Sequence, residues 1–266
     1  MTDALVARDI VMRFGGVLAL DGAAVEVARG RIVGLIGRNG SGKSTMFNCI
    51  TGFLRPTEGS IALEGTPITG LPPHQVVRAG VARSFQTPRV DMRATVREAV
   101  LCGFYALGRV GFLASVLGLP SAAREEARLA AQADAVLDRL GLAALAGQQI
   151  GKLSMGQVRL VEVARGIAAG ARYLLLDEPA AGLTQHERDT LAATLRDVAA
   201  AGVGVLLVEH NFSFVRTLCE TITVLEAGRV LAVGSGDEIA RDRRVVEGYL
   251  GSDPAALAAP TGAMPS

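Results

Sequence analysis

Long hydrophobic runs, paired cysteines and an excess of one charge are all missing from this sequence of 266 residues. Half of the residues are hydrophobic, but their longest runs fall well below the ~18 residues that a membrane-spanning helix needs. The three cysteines have no metal-type spacing and suit a reducing cytosol. A formal charge of +1 offers no basic field for nucleic acid. Because the N-terminus also lacks an apolar signal segment, we expect a soluble cytosolic chain.

The order of strand-like and helix-like segments predicts an α/β fold. Three β-like runs come first, and a hairpin or sharp reversal at residues 28–30 joins the last two. After residue 168, apolar strands alternate with helices, which is the pattern of a mainly parallel sheet. The predicted early strands are 5–14, 23–27 and 31–37, and the later ones are 173–177, 203–208, 221–225 and 229–233.

Between these two parts the strand-like runs disappear and alanine dominates. One apolar stripe at helical spacing comprises Leu129, Ala133, Val136, Leu137 and Leu140. We therefore predict one domain over residues 5–251, an α/β core with an antiparallel N-terminal β part and an inserted α-helical subdomain. The core covers 5–86 and 168–251, the helical subdomain about 87–167, and a flexible tail 252–266.

A glycine-rich segment at residues 37–44, GRNGSGKS, matches the phosphate-binding pattern G-x-x-x-x-G-K-[ST]. Its glycines allow backbone N–H groups to converge on a phosphate chain, while Lys43 reaches the β- and γ-phosphates and Ser44 binds Mg²⁺. The alternative is a glycine-rich turn that happens to contain a lysine. The segment follows an apolar strand and opens a helix, so we predict a nucleotide and Mg²⁺ as ligands, with kinases, GTPases and many ATPases all open at this point. The predicted phosphate-binding residues are Gly37, Arg38, Asn39, Gly40, Ser41, Gly42, Lys43, Ser44 and Thr45.

Two carboxylates follow the buried strand YLLLD at residues 173–177. Asp177 and Glu178 would lie at the carboxyl edge of the parallel sheet, where α/β folds bind ligands. Asp177 is placed to hold Mg²⁺ through water, and Glu178 is the candidate to polarise an attacking water. The alternative is a strand that ends in two solvated acids.

The stretch KLSMGQVRLVEVARG at residues 152–166 places small and polar residues before an apolar helix. One explanation is a serine cap followed by a glycine. The other is that the helix N-terminus binds an anion.

In order and spacing, residues 5–251 resemble the ATP-binding subunit of an ABC transporter, which implies a P-loop NTPase core in the ABC ATPase architecture. Ser154 lies 23 positions before Asp177 (177 − 154), and His210 lies 33 after it (210 − 177). LSMGQ resembles the family's signature motif, usually Leu-Ser-Gly-Gly-Gln. The resemblance implies that these residues act on the γ-phosphate of ATP held by another subunit. The signature segment comprises Leu153, Ser154, Met155, Gly156 and Gln157.

The resemblance also implies roles for three other residues. Phe14 stands where an aromatic ring stacks on adenine, with a core phenylalanine as the alternative. Gln86 matches the glutamine that senses Mg²⁺ and the attacking water, although a glutamine in a surface turn would look the same. His210 matches the switch histidine that contacts the γ-phosphate, whereas a lone histidine after a strand is usually structural.

The sequence departs from the family pattern at two positions. Met155 replaces the first glycine of the signature, which restricts close backbone approach there. Thr184 stands where many relatives carry an aspartate that communicates across the dimer. With Glu187 it matches the capping box T-x-x-E, which we predict as its first role.

Finer resemblance lies in MRFGG (12–16), DEPAAGL (177–183), RDRRVVEGYLG (241–251) and the long segment after Gln86. These look like ATP-binding subunits of bacterial branched-chain amino acid importers. The resemblance implies a head-to-tail dimer with a second ATP-binding subunit, either a paralogue or another copy. Two membrane permease subunits and, indirectly, a periplasmic binding protein complete the system. The chain would then lie peripherally at the cytoplasmic face of the inner membrane.

Other uses of the same ATPase stay open at this point. Urea or amide importers and lipopolysaccharide-export ATPases share the subfamily. A soluble ABC ATPase of DNA repair would carry a long coiled coil, for which the 68 positions between Gln86 and Ser154 (154 − 86) are too few. The predicted surface for coupling to the membrane subunits is the groove near residues 86–93. The apolar segment 110–119 either contacts those subunits or packs within the insertion.

Overall fold

The computed structural model describes residues 3–84, 90–105 and 120–249. The strands are β1 (Ala4–Phe14), β2 (Val17–Ala28), β3 (Ile32–Ile36), β4 (Glu58–Leu63), β5 (Thr66–Pro67), β6 (Val81–Arg83), β7 (Tyr173–Asp177), β8 (Gly204–Val208), β9 (Thr221–Glu226) and β10 (Arg229–Gly234). The helices are α1 (Lys43–Ile50), α2 (Pro73–Arg78), α3 (Val96–Tyr105), α4 (Pro120–Arg139), α5 (Met155–Ala168), α6 (Gln185–Ala200), α7 (Phe212–Leu218), α8 (Gly236–Arg241) and α9 (Arg243–Gly248). None of the helices in these ranges has the length and apolar character to cross a bilayer.

The strands form two sheets. The N-terminal sheet is antiparallel, in the order β2-β1-β4-β5. The second sheet has the order β10-β9-β3-β8-β7-β6, with parallel pairing from β9 to β6 and an antiparallel β10 at its edge. The predicted α/β class, with a mainly parallel sheet and an antiparallel N-terminal part, is therefore confirmed.

The central strands β3, β7 and β8 are buried at every position. Alternate residues of one strand face opposite sides of a sheet, and the packing of β3 shows this. Val33 and Leu35 join the cluster shared with the N-terminal sheet and α1. Ile32 and Ile36 join the cluster formed with the helices. Both faces of the sheet are covered, which explains why these strands are uniformly apolar.

The hairpin expected at residues 28–30 is wrong, because β2 and β3 belong to different sheets. The chain does turn sharply there, with the N–H of Arg31 donating to the carbonyl of Ala28 at 3.3 Å. The hairpin instead joins β1 to β2 through Gly15, whose φ is 56°. The short polar interruption before residue 23 concealed that β2 already begins at Val17.

Helices α3, α4 and α5 lie between β6 and β7 in the chain and pack on one another. The apolar stripe predicted for this region faces its core: Leu129, Ala133, Leu137 and Leu140 are buried, and Val136 is half-buried. The limits 87–167 for a separate helical subdomain stay a prediction. The tail 252–266, the apolar segment 110–119, Gln86 and residues 87–89 of the predicted coupling surface lie outside the described residues.

Candidate functional site

The segment predicted to bind phosphate joins the end of β3 to the start of α1. Gly37 and Gly42 have φ values of 150° and 107°, which side-chain-bearing residues rarely adopt. A Cβ atom on Gly42 would also lie 2.8 Å from the carbonyl oxygen of Ala19. Arg38, Asn39 and Gly40 are exposed at the tip of the loop. The glycines thus allow a tight loop that presents its backbone to solvent.

Helix α1 has no side-chain cap at its N-terminus, Gly42. Its first helical hydrogen bond runs from the N–H of Met46 to the carbonyl of Gly42, at 2.8 Å. The N–H groups of Lys43, Ser44 and Thr45 precede that bond, so helix geometry gives them no partner. By contrast, α5, α6 and α8 each begin with a capping box. An uncapped N-terminus with a glycine-rich approach suits an anion such as phosphate.

Lys43 is buried, and its Nζ donates to the carbonyls of Gly37 at 2.6 Å and Arg38 at 2.9 Å. Burial lowers its pKa from the ordinary value, while the nearby charges of Glu178 and Asp177 act in the opposite direction. The lysine therefore lies within electrostatic reach of both carboxylates. The structure brings together the three charged groups that the sequence singled out here.

The carboxyl end of β7 carries Asp177 and Glu178 toward the same edge of the sheet. Glu178 has a φ of 50°, a left-handed conformation that costs a non-glycine residue on the order of 1–3 kcal/mol. Its N–H donates to the carbonyl of Val208 at 2.9 Å, which ties it to the end of β8. Its Oε1 lies 2.6 Å from Nε2 of His210. The two residues assigned to hydrolysis are thus in direct contact.

Arg83 is a site residue that the sequence did not single out. Its guanidinium pairs with Asp177 at 3.0 Å and donates to Oδ1 of Asn48 at 2.6 Å. It also lies over the rings of Phe47 and Phe53, at 5.5 and 5.9 Å from their centroids. No motif in the sequence pointed to Arg83, because its partners come from distant segments.

Glu209 is a second residue that the sequence did not single out. Its carboxylate is buried and accepts hydrogen bonds from the N–H groups of Ala180 at 2.7 Å and His210 at 3.2 Å. Desolvation raises its pKa above the ordinary value. Its place directly before His210 and after an apolar strand was the available signal. Glu209 joins the loop after Glu178 to the backbone of His210.

The signature segment begins α5 with Ser154 as its N-cap. Ser154 Oγ accepts from the N–H of Gln157 at 3.3 Å, and the Gln157 side chain accepts from the N–H of Ser154 at 3.0 Å. Met155 is exposed at the first helical position. The first of the two explanations, a serine cap, is therefore confirmed, and anion binding at this helix N-terminus stays a prediction.

The capping box predicted at the start of α6 is confirmed. Thr184 Oγ1 accepts from the N–H of Glu187 at 3.3 Å, and Glu187 Oε2 accepts from the N–H of Thr184 at 2.9 Å. The other oxygen of Glu187 accepts from the N–H of Gly156, at 3.2 Å. Thr184 and the signature segment are thus joined through one carboxylate.

Phe14 lies at the end of the β1–β2 hairpin, 45% exposed. That exposure argues against a core phenylalanine. The nearby start of β2 touches the phosphate-binding loop, where the Leu20 side chain lies 2.7 Å from a Cβ built on Gly42. Phe14 thus lies in the hairpin whose second strand reaches this loop at Leu20, and its contact with adenine stays a prediction.

The contacts sort the predicted residues into two groups. The first surrounds Lys43, Asp177, Glu178 and His210. The second group is the signature segment. Its residues Ser154, Gly156 and Gln157 line a groove of about 490 Å³ together with residues of α6, and no residue of the phosphate-binding loop lines that groove. Gln86, expected to join the first group, lies outside the described residues.

Comparison with known proteins identifies this arrangement. A family model described as "ABC transporter" matches residues 20–181, a range that contains the phosphate-binding loop, the signature segment, Asp177 and Glu178. The chain belongs to the ABC transporter family.

Relatives of this ABC protein cover almost its whole length. It is 39% identical over 248 residues to the high-affinity branched-chain amino acid transport ATP-binding protein BraF of Pseudomonas aeruginosa, covering 93% of this chain and 97% of BraF. It is 38% identical over 250 residues to LivG of Escherichia coli K12, named for the same transport, with the same two coverages. The solved ADP conformation of MJ1267, an ATP-binding cassette of an ABC transporter, has a TM-score of 0.82 at 32% identity, covering 94% of this chain and 99% of MJ1267.

A Mg²⁺ ion fits this ABC site only together with a nucleotide. Within the described ranges no group of three or more His, Cys, Asp or Glu residues could hold a metal ion. Mg²⁺ is commonly held by one or two carboxylates, waters and substrate phosphates. Asp177 and the exposed Ser44 match that donor set, so the part of the chain that the structure describes has protein ligands for a nucleotide-bound Mg²⁺ and no metal cage of its own.

Proposed function

We propose that this chain is the ATP-hydrolysing subunit that energises an importer of branched-chain or other hydrophobic amino acids. The contact between Glu178 and His210, 2.6 Å between Oε1 and Nε2, carries the hydrolytic part of the proposal. The names of BraF and LivG, which match over 93% of the chain, support the transported substrate.

The phosphate-binding loop and α1 bind the triphosphate. The uncapped N–H groups at the start of α1 donate to phosphate oxygens. Lys43 exchanges its present carbonyl partners, Gly37 and Arg38, for the β- and γ-phosphates. Phe14 stacks on the adenine. When bound, Mg²⁺ neutralises developing charge on the phosphates; Ser44, Asp177 and Gln86 are the residues proposed to hold it, Asp177 through water.

Glu178 and His210 act on the attacking water. A carboxylate within reach of the γ-phosphate accepts a hydrogen bond from water and orients its lone pair for in-line attack. His210 holds one oxygen of Glu178 and so fixes the direction of the other. The left-handed backbone at Glu178 and the Glu209 contacts keep both residues at the end of the sheet.

The signature segment acts on the nucleotide of a second ATP-binding subunit. Two groups of site residues that do not line one pocket are the arrangement expected if the complete site forms only between two chains. In a head-to-tail dimer the N-terminus of α5 faces the partner's γ-phosphate. ATP closes the dimer, hydrolysis at Glu178 reopens it, and two permease subunits respond. The chain then lies peripherally at the cytoplasmic face of a bacterial inner membrane, served by a periplasmic binding protein.

The first test compares Glu178→Gln and His210→Ala with His74→Ala, an exposed histidine on α2 that serves as matched control. Glu178→Gln should bind ATP normally and lose turnover by at least about 100-fold. His210→Ala should lose turnover as well, while His74→Ala keeps it. Wild-type hydrolysis by Glu178→Gln would remove Glu178 from the mechanism.

The second test identifies the transport system. A tagged chain is purified from gently solubilised native membranes, and its partners are identified by mass spectrometry. Two polytopic membrane subunits, a second ATPase and an amino-acid-binding protein in the same operon support the proposal. Membrane partners encoded with a urea-binding, amide-binding or lipopolysaccharide-transport protein would replace the substrate. Ribosomal or DNA-bound partners alone would end the transport assignment.

A further inference from the structure

Among the described residues, three helices begin with a Ser or Thr cap whose partner is a glutamate three residues later. These pairs are Thr95 with Glu98, Thr184 with Glu187 and Ser235 with Glu238. In each, one carboxylate oxygen accepts from both the N–H and the hydroxyl of the cap residue. One glutamate oxygen is therefore sufficient for the cap.

Glu187 does more than cap its own helix. Its Oε1 accepts from the N–H of Gly156, 31 residues earlier in the chain, at 3.2 Å. The Ser154 hydroxyl also hydrogen-bonds to this carboxylate. Bonds from the Thr184 backbone, Ser154, Thr184 Oγ1 and Gly156 lower the pKa of Glu187 to about 2. Glu187 is thus an ionised group that binds the N-terminus of α5 and of α6 at once.

The packing at Gly156 fits this contact closely. A Cβ atom on Gly156 would lie 2.8 Å from Cγ of Glu187 and 2.9 Å from its carboxyl carbon. The glycine therefore permits the carboxylate to approach the helix. The groove that the signature segment lines is formed in part by Glu187 itself.

The same donors would serve the partner's nucleotide. Under the proposed function, on which this inference rests, the Ser154 hydroxyl and the N–H of Gly156 meet a γ-phosphate oxygen. Neither donor can keep good geometry to Glu187 and to a phosphate together, and the two anions repel each other. We propose that Glu187 is an internal anion that occupies the phosphate-binding end of the signature helix and competes there with the ATP of the partner subunit.

Closure of the dimer then includes a defined local exchange. Oε1 of Glu187 leaves Gly156 and the Ser154 hydroxyl turns to the phosphate, while Oε2 keeps the Thr184 cap and α6 stays intact. The competition raises the ATP concentration at which two subunits pair. It also connects the signature to the loop that follows Glu178, because Thr184 ends that loop.

The test removes the charge and keeps the cap. Glu187→Gln is made in a Glu178→Gln parent, since glutamine also functions at this position of a capping box. Glu238→Gln in the same parent is the matched control, because its box has the same local bonds on α8. Dimer formation is measured by sedimentation over an ATP titration with Mg²⁺.

We expect Glu187→Gln to lower the half-maximal ATP concentration by about fivefold or more, the lower end of typical coupling between two binding events. The Glu238 control should not change it. If the parent forms a dimer and Glu187→Gln leaves the half-maximal ATP concentration unchanged or raises it, the proposed role of Glu187 is wrong. A parent that stays monomeric at saturating ATP would show that the partner is a paralogue and not a second copy, and the amide exchange measurement at Gly156 then decides the role of Glu187.

A second measurement examines the contact without any dimer. Amide hydrogen exchange at Gly156 is followed in nucleotide-free protein for the parent, Glu187→Ala and Glu238→Ala. Exchange at Gly156 should become several-fold faster only in Glu187→Ala. Equal protection in all three would show that Glu187 does not hold this N–H, and would overturn the inference whatever the dimer assay gives.

Discussion

Replacing Arg83 by methionine should destabilise the protein by an amount that its surroundings determine. The Arg83 and Asp177 side chains are only 10% and 12% exposed, so water screens their pairing little. Removing one partner of a buried pair costs about 3–5 kcal/mol, because the other charge is left desolvated. Some exposure remains here, so we expect the lower end, about 3 kcal/mol. For a chain of this size that corresponds to a fall in Tm of roughly 6–12 °C.

The assay is urea unfolding followed by far-ultraviolet circular dichroism, with Arg229→Met as control. Arg229 also pairs with an aspartate, Asp21, but is 72% exposed. Its loss should therefore cost less than about 1 kcal/mol. Adding Asp177→Asn to Arg83→Met removes the stranded charge and should restore part of the lost stability. The reasoning fails if Arg83→Met costs no more than the control, or if the second substitution gives no recovery.

Three other expectations concern binding and reactivity. Lys43→Ala should abolish binding of a fluorescent ATP analogue, because the Lys43 ammonium lies within the phosphate-binding loop, where it donates to the carbonyls of Gly37 and Arg38. Binding at the wild-type level would exclude Lys43 from the phosphate site. Ser154→Arg should block ATP turnover but leave analogue binding intact, whereas equal loss of both would favour a purely structural cap. A thiol reagent such as Ellman's should label Cys102 quickly and the other two slowly, because Cys102 is exposed while burial raises the pKa of Cys49 to about 11 and also raises that of Cys219. Cys102→Ser should abolish the fast phase, and a remaining fast phase would show that a buried thiol opens readily.

Features that depend on neighbouring residues could be predicted from the sequence. Uniformly apolar runs predicted the buried strands β7 and β8. Because Glu178 directly follows β7, its place at the carboxyl edge of the sheet could also be predicted. The boxes at Ser154 and Thr184 follow from residues three apart. In each case the physical cause, helical or strand periodicity and local capping, acts within a few residues.

Features that depend on distant segments could not be predicted in this way. Arg83 and Asp177 are 94 residues apart and meet only because β6 pairs with β7. Glu209 caps a loop from 29 residues earlier. The hairpin error has the same origin, since residues 28–30 form a sharp turn whether the next strand returns to the first sheet or enters another. Sheet membership is decided by tertiary packing, which local pattern does not contain.

In the stretch SMGQ, the cap at Ser154 does not exclude an anion site at the same helix N-terminus. The capping box accounts for Ser154 and Gln157, but it makes no demand on Gly156, where a plain cap would accept alanine. The side chain of Glu187 is what requires a glycine at position 156, and Gly156→Ala tests this requirement. The new methyl group would lie 2.8 Å from Cγ of Glu187 and force α5 and α6 apart. We expect a loss of about 1–3 kcal/mol by urea unfolding.

Gly147→Ala is the control for that substitution, because a Cβ there meets no atom within 4 Å. A Gly156→Ala protein as stable as this control would mean that Glu187 moves aside at no cost. The signature would then be a cap with a loosely placed carboxylate beside it. A clear loss in Gly156→Ala alone would show that the glycine is required for the close approach of the Glu187 side chain to the start of α5, which brings its carboxylate to the N–H of Gly156.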